Sequence, residues 1–293
     1  MRRSCTELTQ VSFALMPSFR WSSCWLRPVR LTSLRNRAVA SVFAAAAFAA
    51  PLVSWAPVHA LPEAEVVARI DSILMLMSVD AEGKPRAFKA TVDGRQVNAY
   101  LAAVSVAAAE DITAGRRFSL PKEEISSLRF SPVSLAKFNE LLAPLLKNKP
   151  SDIGVIAPDP NQVNDVEKLL VAQRIPAAQA KMMANQQPMV FCPEPGLLVS
   201  INQGSGQGKQ FVPCSTEFKF VDSIVQRGIK ESPRLAKLKP RVVAIPLNVF
   251  VNYLRQSPTD RVSQLRVVPS GSIVELVKRL KQQGTPVVFP AKP

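Results

Sequence analysis

Residues 129–142 read RFSPVSLAKFNELL, and residues 241–254 read RVVAIPLNVFVNYL. Each begins with a short run of apolar β-formers, passes a proline, and continues with apolar residues at i, i+3 and i+4. That is the pattern of a strand running into an amphipathic helix. Aligned without a gap, Phe138 falls on Phe250 and Leu142 on Leu254. A strand–helix unit that recurs 112 residues later marks a duplication, and internal self-similarity takes precedence over local propensity in reading a fold.

The repeat extends outward from this stretch. Leu61-Pro62 opens the amphipathic segment PEAEVVARIDS and the apolar run Leu74–Met77; Ile175-Pro176 opens PAAQAKMMANQQ and the run Pro188–Phe191, 114 residues later. Ser105 to Ala114 reads as a helix with Ser105 as N-cap and Gly115 past its end. Ser215 to Arg227 reads the same way, with Gly228 past its end. Downstream, Val155-Ile156 leads through Pro158-Asp159-Pro160 into NQVNDVEKLLV, and Val267-Val268 leads through Pro269-Ser270-Gly271 into SIVELVKRLKQQ. Asp159 and Ser270 are the expected N-caps, with Pro160 in the first turn. Hairpin turns are expected at Asp93-Gly94 and over Gly204–Gly208. The polar segments 116–125 and 229–240, which carry Pro121, Pro233 and Pro240, read as long surface loops. Pro286–Phe289 reads as an added edge strand.

Each unit is thus helix, two or three strands, helix, strand, helix, strand, helix. Hairpin-grouped strands mixed with helices give an α+β class. The expected architecture is two tandem pseudo-symmetric units, each a small, mostly antiparallel sheet with packed helices, forming one two-lobed body. The units span 61–174 and 175–293.

Residues 1–60 are different in kind. They hold seven Arg and one acid, Glu7, then a small apolar run from Ala38 to Ala50 closed by Pro51, then Val58-His59-Ala60. Positive start, apolar centre and small residues at −3 and −1 describe a secretory signal peptide cut between Ala60 and Leu61. The apolar run is shorter than the roughly 20 residues of a spanning helix. An Arg- and Ser-rich organelle transit peptide is the other reading, and translation from Met16 would shorten the leader.

Removing the leader leaves 30 basic and 21 acidic residues, a net charge of +9. This charge suits acidic proteins and anionic membrane surfaces. The basic residues are spread rather than clustered with aromatics, which argues against nucleic acid. The single His, His59, and all three Trp lie in the leader. What remains has no imidazole, so Ser-His-Asp and Cys-His systems and most zinc and copper sites are excluded. No catalytic residue, metal site or cofactor is expected. Gly204–Lys209 lacks the ending of a phosphate loop, and Glu123-Glu124 reads as a solvated pair. Cys192 and Cys214 are either a disulfide, if the compartment is oxidising, or two buried thiols. Met182 and Met183 lie on the helix joining the units. At least one is expected to face the seam between the lobes, where adaptable Met side chains would bind client segments.

Taken in order, LPEAEVVARID (61–71), SVDAEGKPRAF (78–88), RFSPVSLAKF (129–138) and GVIAPDPNQVNDVEKLL (154–170) resemble the twenty-two-kilodalton Tic family of the chloroplast import machinery and its cyanobacterial relatives. The resemblance spans 61–293; its most specific pieces are Pro132–Leu135 and Pro158–Val163. It implies a soluble protein working between two membranes, with a two-lobed pseudo-symmetric fold and hydrophobic pockets for client segments. In plastids such proteins are thought to pass precursors between the envelope translocons. In cyanobacteria they are linked to the periplasm and to outer-membrane biogenesis beside the β-barrel insertase. The family pattern does not require Cys192 or Cys214.

The reading is therefore a periplasmic chaperone or carrier of unfolded and precursor proteins, with the thylakoid lumen or plastid intermembrane space as other compartments. The alternatives are an accessory subunit of the insertase or translocon that touches no client and, last, a His-free enzyme.

Overall fold

The computed structural model describes residues 11–15, 60–92, 95–118, 120–149, 151–201, 209–257, 262–282 and 289–290. A strand β1 (Val11–Leu15) lies within the expected leader. The first unit then runs α1 (Glu63–Ile70), β2 (Leu74–Val79), β3 (Ala87–Val92), β4 (Arg95–Ala103), α2 (Val106–Thr113), α3 (Lys122–Ser127), β5 (Arg129–Ser134), α4 (Leu135–Asn148), β6 (Ile153–Ala157), a 3₁₀ turn (Pro160–Gln162) and α5 (Val163–Ala172). The second unit repeats the order: α6 (Ala177–Gln186), β7 (Met189–Glu194), β8 (Leu197–Ile201), β9 (Lys209–Ser215), α7 (Phe218–Glu231), α8 (Pro233–Leu238), β10 (Arg241–Pro246), α9 (Leu247–Gln256), β11 (Leu265–Val268) and α10 (Gly271–Gln282). A two-residue strand β12 (Phe289–Pro290) follows.

The strands form two sheets of matching topology. One has the order β12-β5-β2-β4-β3, the other β1-β8-β9-β7-β10. In each, one parallel strand joins the long hairpin arm: β6 on β4 and β11 on β9. Every other pairing is antiparallel. The β5–α4 and β10–α9 junctions are the duplicated strand–helix units, and Phe138, Leu142, Phe250 and Leu254 are all buried. Ser134 caps α4, its Oγ accepting the Lys137 amide at 3.1 Å.

Strand alternation sorts the apolar residues into layers. Met75 and Met77 turn to a central core and Leu76 to an outer one; Val190 and Cys192 turn to the same central core and Met189 and Phe191 to the other outer one. The central core packs α1, α4 and α9 between the inner faces of both sheets. The body is one layered structure on two sheets.

The outer layers cross the boundary between the repeats. Val166 and Leu170 of α5, the last helix of the first unit, pack with Phe191, Val242 and Ala244 of the second sheet. Ile273, Leu276 and Leu280 of α10, the last helix of the second unit, pack with Leu76, Phe88 and Leu101 of the first. Each unit lends its terminal helix to its neighbour.

Several local expectations are corrected. Segments 116–125 and 229–240 are not uninterrupted loops; each contains a short helix. Pro121 precedes α3, with Glu123 and Glu124 in its first turn, and Ser232 caps α8, with Pro233 at its first position. Glu124 is paired, accepting Arg86 at 3.2 Å. Ser215 is not the cap of α7. It ends β9, and its hydroxyl donates to the Val268 carbonyl at 3.0 Å. Gly228 does not end α7 but is buried inside it. The two hairpin turns at 93–94 and 204–208 lie outside the described residues, although the strands that flank them pair up to Val92↔Arg95 and Ile201↔Lys209. The C-terminal edge strand is realised at Phe289–Pro290, on β5 of the first sheet.

Candidate functional site

The two methionines singled out on α6 part company. Met183 is buried, in the outer core that α5 shares with the second sheet; Met182 is 53% exposed. Adjacent helix residues point about 100° apart, so no single groove uses both side chains. Met182 joins Val67, Val171 and Leu238 as large apolar residues that are exposed, and surface apolar residues of this kind are ordinary unless contiguous.

The seam between the units carries a depression of about 230 Å³, counting its open mouth. Val104, Pro158, Asp159 and Gln162 line it from the first unit, and Gln187, Met189, Phe191 and Thr216 from the second. Small-molecule sites fall at roughly 300–1,000 Å³ with most of the ligand enclosed; the space clear of this depression's walls is about 10 Å³, close to the least that holds one water.

The polar side chains around the seam bond to main chain. Gln162 Oε1 accepts the Phe218 amide at 2.5 Å, while its Nε2 donates to the Thr216 carbonyl and to Asp159 Oδ2, each at 3.1 Å. That supplies a partner for an otherwise unmet N–H at the start of α7. Gln173, just past α5, brackets Ala244: its Nε2 donates to the Ala244 carbonyl at 3.1 Å and its Oε1 accepts the Ala244 amide at 2.8 Å. Both β10 backbone groups of an edge residue are thereby covered. Arg117 donates to the Asn185 carbonyl on α6, and burial holds its guanidinium below the ordinary Arg value.

Among the described residues, Arg69 is the one buried cation of the central layer, 7% exposed. Its Nη1 donates to the carbonyls of Val262 and Leu265, both at 2.6 Å, and its Nη2 to that of Ser263 at 3.2 Å and to Glu65 at 3.4 Å. Desolvation, then the charge of Arg266, lowers its pKa, with Glu65 opposing. In the repeat alignment Arg69 stands opposite Met183: one unit uses a charged clamp where the other uses an apolar plug. None of Arg69, Arg117, Gln162 or Gln173 was anticipated. Only Arg69 had a sequence signal, a charge in line with Val66 and Ile70 on the apolar face of α1.

Cys192 and Cys214 face each other directly on β7 and β9, with Cα atoms 4.5 Å apart and sulfurs joined. Among the described residues, no cluster of His, Cys, Asp and Glu could hold a metal, and no helix is long and apolar enough to cross a membrane. The leader's apolar run lies outside the described residues.

Neither a protein-family model nor a curated protein sequence matches the chain. Solved structures do. Anabaena Tic22, described as a protein-transport protein, superposes with a TM-score of 0.54 at 18% identity, over 75% of this chain and 98% of that one. Tic22 from Plasmodium falciparum superposes with a TM-score of 0.53 at 12% identity, over 74% of this chain and 98% of that one. This chain has the Tic22 fold. At these identities the likeness is one of architecture.

Proposed function

We propose that this chain is a protein-transport factor that holds or carries precursor proteins between two membranes, and that it catalyses nothing. The observation that carries the reading is near-complete coverage, 98%, of a Tic22 structure described as protein transport. The chemistry of the chain agrees with it. Residues 61–293 contain no His, which leaves no side chain with an unperturbed pKa near neutrality to act as a general base. Their net charge of +9 favours approach to anionic membrane and to acidic faces of an insertase or translocon. The periplasm is the compartment that joins a removable leader to a disulfide; the thylakoid lumen and the plastid intermembrane space share those features in part.

Residues 61–293 should suppress aggregation of an unfolded outer-membrane β-barrel protein, followed by light scattering. Absence of suppression at several-fold excess overturns the carrier reading. The shallow seam favours one second reading, a fixed accessory subunit of the insertase or translocon that touches no client. Crosslinking in cells that yields only machinery components and no precursors would select it.

A further inference from the structure

The second sheet ends on β8, and in the full chain β8 is covered. Its partner is β1, paired antiparallel along its whole length from Val11↔Ile201 to Leu15↔Leu197. β1 belongs to the leader, which the sequence predicts is cut away after Ala60. Among the described residues, the three hydrophobic cores run from Leu61 to Leu280, and β8 has its own pairing to β9, from Val199↔Phe211 to Ile201↔Lys209, on the side away from β1. Cutting the leader therefore leaves an intact sheet with a bare edge, and a bare edge is a row of unpaired amide and carbonyl groups that templates another strand.

The first sheet contains an internal control. Its strand β3 occupies the place of β8, and the register fixes which residues correspond. Ala103 pairs with Leu76 and Ser215 pairs with Phe191 at matching points of the two sheets. Five residues back from each lie Asn98 and Gln210, whose partners on the outer strands are Lys89 and Ser200. Lys89 is exposed, and an edge lysine is a standard device against strand addition. β8, LLVSI, carries no charge anywhere. Leu197, Leu198, Val199 and Ser200 are all buried while β1 is in place. One edge of the duplicated fold is blunted, and its counterpart is left receptive and filled by a leader segment.

We infer that in the chain starting at Leu61 the outer edge of β8 is a strand-addition site that takes an extended, uncharged apolar segment of a client polypeptide, antiparallel, in the place β1 holds in the full chain. The inference rests on the carrier reading and deepens it by naming how the client is held. The affinity comes from main-chain hydrogen bonds, which are indifferent to sequence; a carrier of many precursors needs that property. The leader then doubles as a plug, closing the edge until it is removed.

The test uses a fluorescent peptide of residues 9–17, TQVSFALMP, with anisotropy as readout, against residues 61–293 and against the full chain. Residues 61–293 should bind it saturably, the full chain should not, and Ser200→Lys should abolish binding. Two further peptides, N-methylated at 11, 13 and 15 or at 12 and 14, separate strand pairing from apolar adhesion without altering the protein. Alternate residues of an antiparallel ladder turn both backbone groups to the same neighbour, so one methylated peptide should lose binding and the other keep it. Equal binding of both methylated peptides overturns the inference, as does binding to the full chain equal to that of the truncated one. A stable dimer of residues 61–293 that excludes the peptide overturns it in favour of a second copy as occupant. Aggregation suppression without peptide binding overturns the inference while the carrier reading stands; peptide binding without suppression overturns the carrier reading and assigns the edge to the leader alone.

Discussion

Arg69 Nη1 donates to the Leu265 carbonyl at 2.6 Å, tying the first helix of one repeat to the last sheet strand of the other. The same guanidinium donates to the carbonyls of Val262 and Ser263, and Arg266 Nη1 shares those of Ser263 and Leu265 at 2.9 and 2.8 Å. Replacing Arg69 with the residue of the equivalent position, Arg69→Met, removes the donor of the Val262 carbonyl in a largely dry layer, while Arg266 still reaches those of Ser263 and Leu265. The expected cost is about 2 kcal/mol, read as a lowered denaturant midpoint with an unchanged slope. Arg69→Lys should recover only part of it, because an ammonium cannot reproduce the forked geometry. A midpoint within error of the unmutated chain would show that water satisfies the carbonyls and that the clamp is dispensable.

The exchange of terminal helices makes a statement about the repeats as folding units. Residues 61–174 alone keep β2 to β6 of the first sheet but lose β12 and Ile273, Leu276 and Leu280, which seal its outer face, and they expose Val166 and Leu170 of α5. Neither 61–174 nor 175–293 should therefore unfold cooperatively by itself, while the two fragments mixed should recover a cooperative transition. Thermal melts followed by near-ultraviolet dichroism decide it; a cooperative melt of 61–174 alone would mean that each repeat is an autonomous domain.

Much of this fold could be read from residue patterns, and the exceptions have physical causes. Phe138 and Phe250, or Leu142 and Leu254, announce themselves because helical periodicity is local. α3 and α8 were also legible, since Pro121 and Ser232-Pro233 are start signals next to the proline-rich composition that suggested loops. The start of α7 was not. Ser215 and Gly228 have the right spacing for caps, but the partner of the Phe218 amide is Gln162, 56 residues away in the chain, and no local rule reaches that far. The site was the least legible part: Met182 and Met183 are neighbours in sequence yet on different faces of α6, and the β8 edge is defined by what pairs with it.

The expected cleavage between Ala60 and Leu61 can be tested on the protein itself. Leu61 is buried in the central core while Ala60 is exposed, so a cut between them falls at the edge of that core and takes β1 away with the leader. N-terminal sequencing of the protein recovered from an exporting cell should begin at Leu61. A start at Met1 would refute export by cleavage, and with it the freed β8 edge; a start at Met16 would refute the cleavage alone, because that chain already lacks β1.

The Cys192–Cys214 bond joins residues 22 apart in the chain, and the loop it closes takes in β8 and all of β9 but its last residue. Closing a loop of that size restricts the unfolded ensemble by about 3 kcal/mol. Thiol titration of denatured, unreduced residues 61–293 should find no free sulfhydryl, and Cys192→Ala with Cys214→Ala should lower stability by about that amount. Two titratable thiols would instead support the reading of the pair as buried apolar residues, with a reducing compartment to match.

Tyr100 gives the fold an alkaline limit. It is 6% exposed at the central core; burial first, and the Asp152 carboxylate second, raise its pKa above the ordinary value of 10.0. The folded state therefore keeps the phenolic proton at a pH where the unfolded chain has released it. Above pH 10 the native state binds more protons than the unfolded one, so stability falls as pH rises. The contribution is fully present below pH 10 and disappears as pH climbs through the raised value. Tyr100→Phe removes the titrating group and keeps the ring, so denaturant midpoints of the variant should decline less steeply than those of the unmutated chain from pH 10 upward, with the two curves running parallel between pH 7 and pH 9. Asp152→Asn should flatten the decline partly, since it removes only the smaller of the two causes. Identical slopes for Tyr100→Phe and the unmutated chain above pH 10 would assign the alkaline limit to other groups.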